Sequence, residues 1–384
     1  MLNSTNMREI NFAYVAKQKN ILAEKIKKRI EKVYAHCKFI MGPEVEELEA
    51  KLGEYTGANY VISCGNGTDA LTISLKALGC TVGDAVFCPA FTFSASAEAI
   101  VQTGATPIFV DVCRDTFNIC PDSLIETYKV IEKQKLNPVG VLVVDLFGMP
   151  ANYEKISKLS EQLGLWILGD SAQSFGSLYK GKSTNYYTSL TTTSFFPSKP
   201  LGAYGDGGAI FTNDEHLASL CRSLRAHGTI TVKYHSEFVG FNSRLDTIQA
   251  AILLEKLSVF PYENIKRQKI AMAYNARLSA VVQVPVLDET CISSWGQYTI
   301  KVGDSSVRKK LQGHLLKLGI PSVVYYPKCI HEQKAYCDFP ISPSGLKNSV
   351  QLSKEVLSLP CHSYLTDKDV AFIIEGILSF FDYR

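Results

Sequence analysis

Five short, almost unbroken apolar runs constrain this chain most: YVISC (60–64), AVFCPA (85–90), PIFVDV (107–112), GVLVVDLFG (140–148) and LWILGD (165–170). A strand wetted on one face alternates polar and apolar residues, and these runs do not. They suit strands covered on both faces, as in a parallel sheet flanked by helices. Stretches with helical spacing lie between them, such as TDALTISLKALG after the first. Strand and helix in alternation predict an α/β domain. TSLTTTSFF (188–196) and the glycine-rich GAYGDGGAIFTND (202–214) read as a strand–turn–strand unit. ILAEKIKKRIEKVYAHC (21–37) reads as a surface helix and LDTIQAAILLEK (245–256) as another helix. Beyond about 257 the pattern changes. VVQVPVL and YTIKVG read as strands, and VRKKLQGHLLKLG as a helix, of a smaller α+β domain. At ~100–200 residues per domain a chain of 384 residues is expected to hold two or three domains, and the pattern divides it into 1–256 and 257–384.

Charge excludes some classes of partner. Forty Lys and Arg against 37 Asp and Glu give +3, too balanced to predict binding to nucleic acid or a membrane surface. No apolar run reaches the ~20 residues that span a bilayer, and the N-terminus lacks the apolar core of a secretion signal. A cytoplasmic protein is expected. The eleven Cys are scattered without any C-x-x-C pair, so neither a zinc ribbon nor a thioredoxin motif is present. They read as small buried apolar residues, and no metal site is expected.

Two glycine-rich turns carry the chemistry. Gly65-Asn66-Gly67-Thr68-Asp69-Ala70 follows a strand and opens a helix, matching G-x-G-x-x-A. A dinucleotide site also needs an acid after the second strand, and Pro89-Ala90-Phe91-Thr92-Phe93 has none. Asp84 precedes that strand. A single phosphate on the amides of Gly67 and Thr68 fits better. The competing reading is that Thr68 or Asp69 only caps the helix.

The second turn places Lys199 between Pro197 and Pro200, after Ser194 and before Gly205-Asp206-Gly207-Gly208. An amine held in an apolar pocket loses proton affinity and can form a Schiff base; the competing reading is an exposed loop lysine. Asp170 ends an apolar strand, where a carboxylate is costly unless it meets a cation. The protonated pyridine nitrogen of pyridoxal phosphate is such a cation. Asp170 or Ser171 could instead start a helix.

In this order, phosphate turn, aromatic, strand-end Asp and loop Lys resemble the pyridoxal-phosphate-dependent nucleotide-sugar aminotransferases of the DegT/StrS type. These have the aspartate aminotransferase-like fold, the type I fold of this cofactor class. The resemblance runs through GPEVEELE (42–49), SCGNGTDAL (63–71), GDSAQSFGS (169–177), TSFFPSKPLGAYGDGGAIFTND (193–214), NSRLDTIQAAIL (242–253) and SLPCHSYL (358–365). It implies that Lys199 binds the cofactor covalently and then moves the proton, while Asp170 pairs with the pyridine nitrogen. It also implies that Gln173 contacts the ring, Phe93 stacks on it, and Gly67, Thr68 and Ser194 bind the phosphate. Asn242 is expected to reach the phosphate from a second subunit, which implies a homodimer with shared active sites. Lysine rather than histidine at 199 favours amination over dehydration.

The implied reaction moves an amine from an amino acid, usually L-glutamate, to a keto sugar of a nucleotide sugar. The resemblance is strongest to enzymes that aminate C3 of UDP-2-acetamido-2-deoxy-ribo-hex-3-uluronate for bacterial O-antigen. Met41, Arg244, Tyr325 and Tyr326 are the implied substrate contacts. Arg244 suits a uronate carboxylate, with a structural pair to Asp246 or Glu255 as the competing reading. Met41, Tyr325 and the segment 126–140 depart from that group. C4 specificity or a dTDP sugar is the alternative within the family, and a nicotinamide-dependent sugar oxidoreductase the alternative outside it.

Overall fold

The computed structural model describes residues 10–13, 15–229 and 235–382. Its centre is a seven-stranded sheet of β1 (Tyr60–Cys64), β2 (Asp84–Pro89), β3 (Thr106–Val110), β4 (Asn137–Val144), β5 (Trp166–Asp170), β8 (Leu190–Ser194) and β9 (Gly208–Thr212). Short strands β6 (Leu178–Tyr179), β7 (Lys182–Ser183) and β10 (Cys291–Ile292) form a small sheet beside it. Strands β11 (Tyr298–Lys301) and β12 (Val356–Leu359) form an antiparallel pair in the C-terminal part.

The main sheet runs β1-β9-β8-β5-β4-β2-β3. Only β9 is antiparallel to its neighbours, so β1, β8, β5, β4, β2 and β3 all end on the same edge. The five apolar runs are β1 to β5. Their lack of alternation has the expected cause. In β4, Leu142 and Val144 pack into the cluster on one face, and Val141 and Val143 into that on the other. Successive side chains point to opposite faces, and here both faces are dry. The α/β reading thus holds, with the strand–turn–strand unit resolved as β8 and β9.

Two expectations for the C-terminal part need correction. The helix read over 245–256 is the first part of a 32-residue helix, Thr247–Leu278, which continues through Pro261. The change of pattern at 256/257 therefore falls inside one helix. VVQVPVL forms no strand. It contributes a single bridge, Gln283 to Lys301, and Pro285 lacks the N–H that a continued ladder needs. YTIKVG does supply β11, and VRKKLQGHLLKLG lies in the helix Ser305–Lys317. A separate apolar cluster packs around β11 and β12, with Tyr274, Leu311, Leu315 and Ile373 at its centre. No helix among the described residues is long and apolar enough to cross a membrane.

Gly140 shows how tightly β4 and β5 approach. It sits opposite Trp166, and a Cβ there would lie 2.1 Å from the indole. Gly140→Ala is expected to cost about 1–3 kcal/mol by overpacking. A urea midpoint equal to that of the parent would contradict this account of the register.

Candidate active site

The shared strand edge is where a doubly covered parallel sheet presents polar groups. After β1, Asn66 caps the helix Gly67–Ala77, its side chain accepting from the Asp69 amide at 2.8 Å. Neither Thr68 nor Asp69 is the cap. Asp69 instead accepts from the Ser243 hydroxyl at 2.6 Å, and that hydroxyl accepts from the Gly65 amide at 2.9 Å. The amides of Gly67 and Thr68 have no partner among the described residues, at the positive end of the helix. Gly67 allows β8 to come close: a Cβ there would lie 2.7 Å from the Ser194 Cβ.

Asp170, the last residue of β5, is buried and accepts from the Ala172 amide at 3.0 Å. A turn follows it, not a helix, so it starts no helix. Lys199 lies in the loop from β8 to β9, its amide donating to the Phe196 carbonyl at 2.9 Å. Both line one cavity of about 440 Å³, and no hydrogen bond or ion pair joins them. They still sense each other. Burial lowers the proton affinity of the Lys199 amine, and the Asp170 charge opposes that. Burial raises the proton affinity of Asp170, and the Ala172 amide and Lys199 oppose it.

Gly67, Thr68, Phe93 and Ser194 line the same cavity, as do Gln173, Tyr325 and Tyr326. Gln173 is held from both ends. Its carbonyl accepts from the Phe147 amide at 2.8 Å, and its amide donates to the Tyr326 hydroxyl at 3.0 Å. Phe93 is 53% exposed, its ring 6.0 Å from that of Tyr326. Behind this wall Asp145 is fully buried. It accepts from the Ala151 amide and from the Tyr153 and Ser174 hydroxyls.

These residues fit pyridoxal phosphate. Free helix-start amides and the Ser194 hydroxyl suit a phosphate. A buried carboxylate and a half-buried amine on one cavity, with no bond between them, suit the two edges of a heterocycle. No cluster of three or more metal-ligating side chains occurs among the described residues.

Met41, Asn242 and Arg244 do not line this cavity. Met41 is 39% exposed. Arg244 donates to the Asn242 side-chain carbonyl. Neither structural pair considered for Arg244 forms: Glu255 accepts from Arg29 at 2.6 Å, and Arg244 makes no ion pair with Asp246. Asn66, Asp206 and Gln297 line the cavity without having been singled out. Asn66 had a usable signal, a cap residue three before Asp69; Gln297 had none. Asp84 accepts from the Thr81 amide and the Asn137 side chain at the opposite sheet edge, so it is no ribose ligand.

Residues 20–378 match the DegT/DnrJ/EryC1/StrS aminotransferase family. The UDP-2-acetamido-2-deoxy-3-oxo-D-glucuronate aminotransferase of Pseudomonas aeruginosa is 41% identical over 370 residues, 96% of this chain and 99% of that one. The crystal structure of a DegT DnrJ EryC1 StrS aminotransferase from Brucella abortus superposes with a TM-score of 0.94 at 43% identity, covering 97% of this chain and 99% of that one. NtdA from Bacillus subtilis, with bound cofactor PMP, superposes with a TM-score of 0.88 at 30% identity, covering 99% and 87%.

Burial pushes Asp145 from 3.8 up to about 7, against the hydrogen bonds it accepts from Ala151, Tyr153, Ser174 and Thr184. The native state thus keeps a proton that the unfolded chain loses at lower pH. That contribution to stability is complete below 3.8 and lost as pH rises to about 7. Asp145→Asn removes it, so the difference in urea midpoint between parent and variant is expected to change across this window. A constant difference would refute the assignment.

Proposed function

The chain belongs to the DegT/DnrJ/EryC1/StrS aminotransferase family, and from that premise we propose how its cavity works and on what. The enzyme is a pyridoxal-phosphate-dependent transaminase. The observation that carries the reading is the pair Lys199 and Asp170, which line one cavity with no hydrogen bond or ion pair between them.

When bound, the cofactor supplies a ring that withdraws electrons from the substrate carbon. Asp170 keeps the ring nitrogen protonated by offering it a carboxylate. Lys199, its proton affinity lowered by burial, serves as the base that takes the proton from the substrate carbon and returns it. Gln173 presents an amide N–H whose direction is set by Phe147. The amides of Gly67 and Thr68 and the hydroxyl of Ser194 hold the phosphate, and Phe93 covers the ring face. Asn242, outside the cavity of its own chain, reaches the phosphate of a partner in a homodimer with shared sites.

The amine comes from an amino acid, L-glutamate, and goes to C3 of UDP-2-acetamido-2-deoxy-ribo-hex-3-uluronate, on the way to a bacterial surface polysaccharide such as O-antigen. Its support is the 41% identity to the Pseudomonas aeruginosa aminotransferase along almost the whole chain. Met41, Arg244, Tyr325 and Tyr326 meet the sugar, with Met41 and Arg244 acting across the dimer. Residues 1–256 form the cofactor-binding domain and 257–384 the small one, with the helix Thr247–Leu278 running through the junction; the separate cluster around β11 and β12 supports the division. Eleven free cysteines support a reducing, cytoplasmic setting.

Lys199→Ala is expected to abolish the visible band of the lysine-bound cofactor and to slow amine transfer by about 10²–10⁴-fold or more. Incubating the pyridoxamine form with UDP- and dTDP-linked 3-keto and 4-keto sugars identifies the acceptor by return of that band. A band that survives Lys199→Ala would overturn the role of Lys199; return of the band with a 4-keto sugar alone would overturn the C3 assignment.

A further inference from the structure

Lys199 borders a second, smaller cavity of about 100 Å³, on the side of the middle of the long helix and the segment 359–364. The two cavities share Lys199, Ser198, Gln297 and Tyr325. Three charged side chains from the helix Thr247–Leu278 line the smaller one: Lys256, Glu263 and Arg267. Their spacing of seven and four residues puts them on one stripe of that helix. All three are buried, with 2%, 4% and 6% of their surface exposed.

Their charges do not balance. The Glu263 carboxylate accepts through Oε1 from the Gln18 amide at 2.8 Å and from the Tyr364 hydroxyl. Arg267 donates through Nε to the Ser294 carbonyl at 2.8 Å, but its Nη2 is buried with no partner. The Lys256 ammonium makes no hydrogen bond or ion pair among the described residues and lies 4.9 Å from the centre of the Tyr204 ring. Two buried cations thus share one carboxylate. A buried cation with an empty donor is costly unless an anion meets it.

We propose that this pocket receives a carboxylate of the amino donor, held by Lys256 and Arg267 beside the Lys199 amine. The inference rests on the transaminase reading above. At about 100 Å³ the pocket admits a carboxylate and excludes a nucleotide sugar, whose class of ligand needs roughly 300 Å³ or more. Both substrates must bring their reacting carbon to the same amine. An anion site beside Lys199, outside the large cavity, anchors the small substrate without using the contacts of the large one.

The test separates the two half-reactions of Lys256→Met. The KM for L-glutamate is expected to rise about tenfold or more, the scale of a lost hydrogen bond to a charged group. The KM for the keto sugar is expected to stay within about twofold, because that substrate lies in the other cavity. Lys256→Arg, which keeps the charge, should restore most of the donor affinity. A second readout needs no turnover: calorimetric titration with glutarate, a dicarboxylate without an amine, should show binding to the parent enzyme that Lys256→Met weakens to the same degree. Unchanged glutamate KM and glutarate affinity would overturn the proposal. A rise confined to the keto sugar would also overturn it and assign the pocket to the acceptor's carboxylate. If the parent takes no amine from any amino acid, the transaminase reading itself fails, while the glutarate titration still reports on the pocket.

Discussion

A sheet covered on both faces has only its strand ends left for polar chemistry. Side chains in the middle of β4 and β5 meet apolar neighbours above and below, so a charge there would be stranded. At the common edge the strands stop, the helices begin, and amides, carboxylates and hydroxyls become available together. Asp170 is the last residue of its strand and Ser194 the last of its own. The free amides of Gly67 and Thr68 start the helix that follows β1. The topology that orders the strands therefore also gathers the site.

Two opposite charges that share a cavity would ordinarily collapse into an ion pair. Asp170 and Lys199 do not, because each is held by its own backbone: Asp170 by the turn to Ala172, and Lys199 by the short loop folded back on Phe196. Burial acts on both in the neutral direction, and their mutual attraction acts against it. The balance keeps an acid and a base at separate stations. The glutamine between them is fixed in the same manner, by a backbone amide that arrives from residue 147.

The strands were legible because burial on both faces leaves a mark on composition that partial burial does not. Lys199 and Asp170 were legible from order and from resemblance, not from either residue alone. The misreadings share a different origin. Asn66 as the cap was passed over because Thr68 and Asp69 are also cap residues and lie at the same turn. The helix 247–278 looked shorter because its second half buries Glu263, Asn264 and Arg267 where an apolar stripe is expected. Those buried charges blur the periodicity, so the helix signal fades at the stretch that lines the smaller cavity. The structural pair considered for Arg244 was read through its charge, and neither partner takes it up. The geometry ties Arg244 to Asn242, two residues away.

Pro261 sits inside that long helix, between Lys256 on one side and Glu263 and Arg267 on the other. A proline offers no N–H, so the carbonyl four residues earlier, at Leu257, loses its rung in the ladder. The missing rung makes this turn the most compliant part of a rod ~48 Å long. The turn that lacks this bond is the one that sets the gap between Lys256 and Arg267, as the pivot of a caliper sets the distance between its jaws.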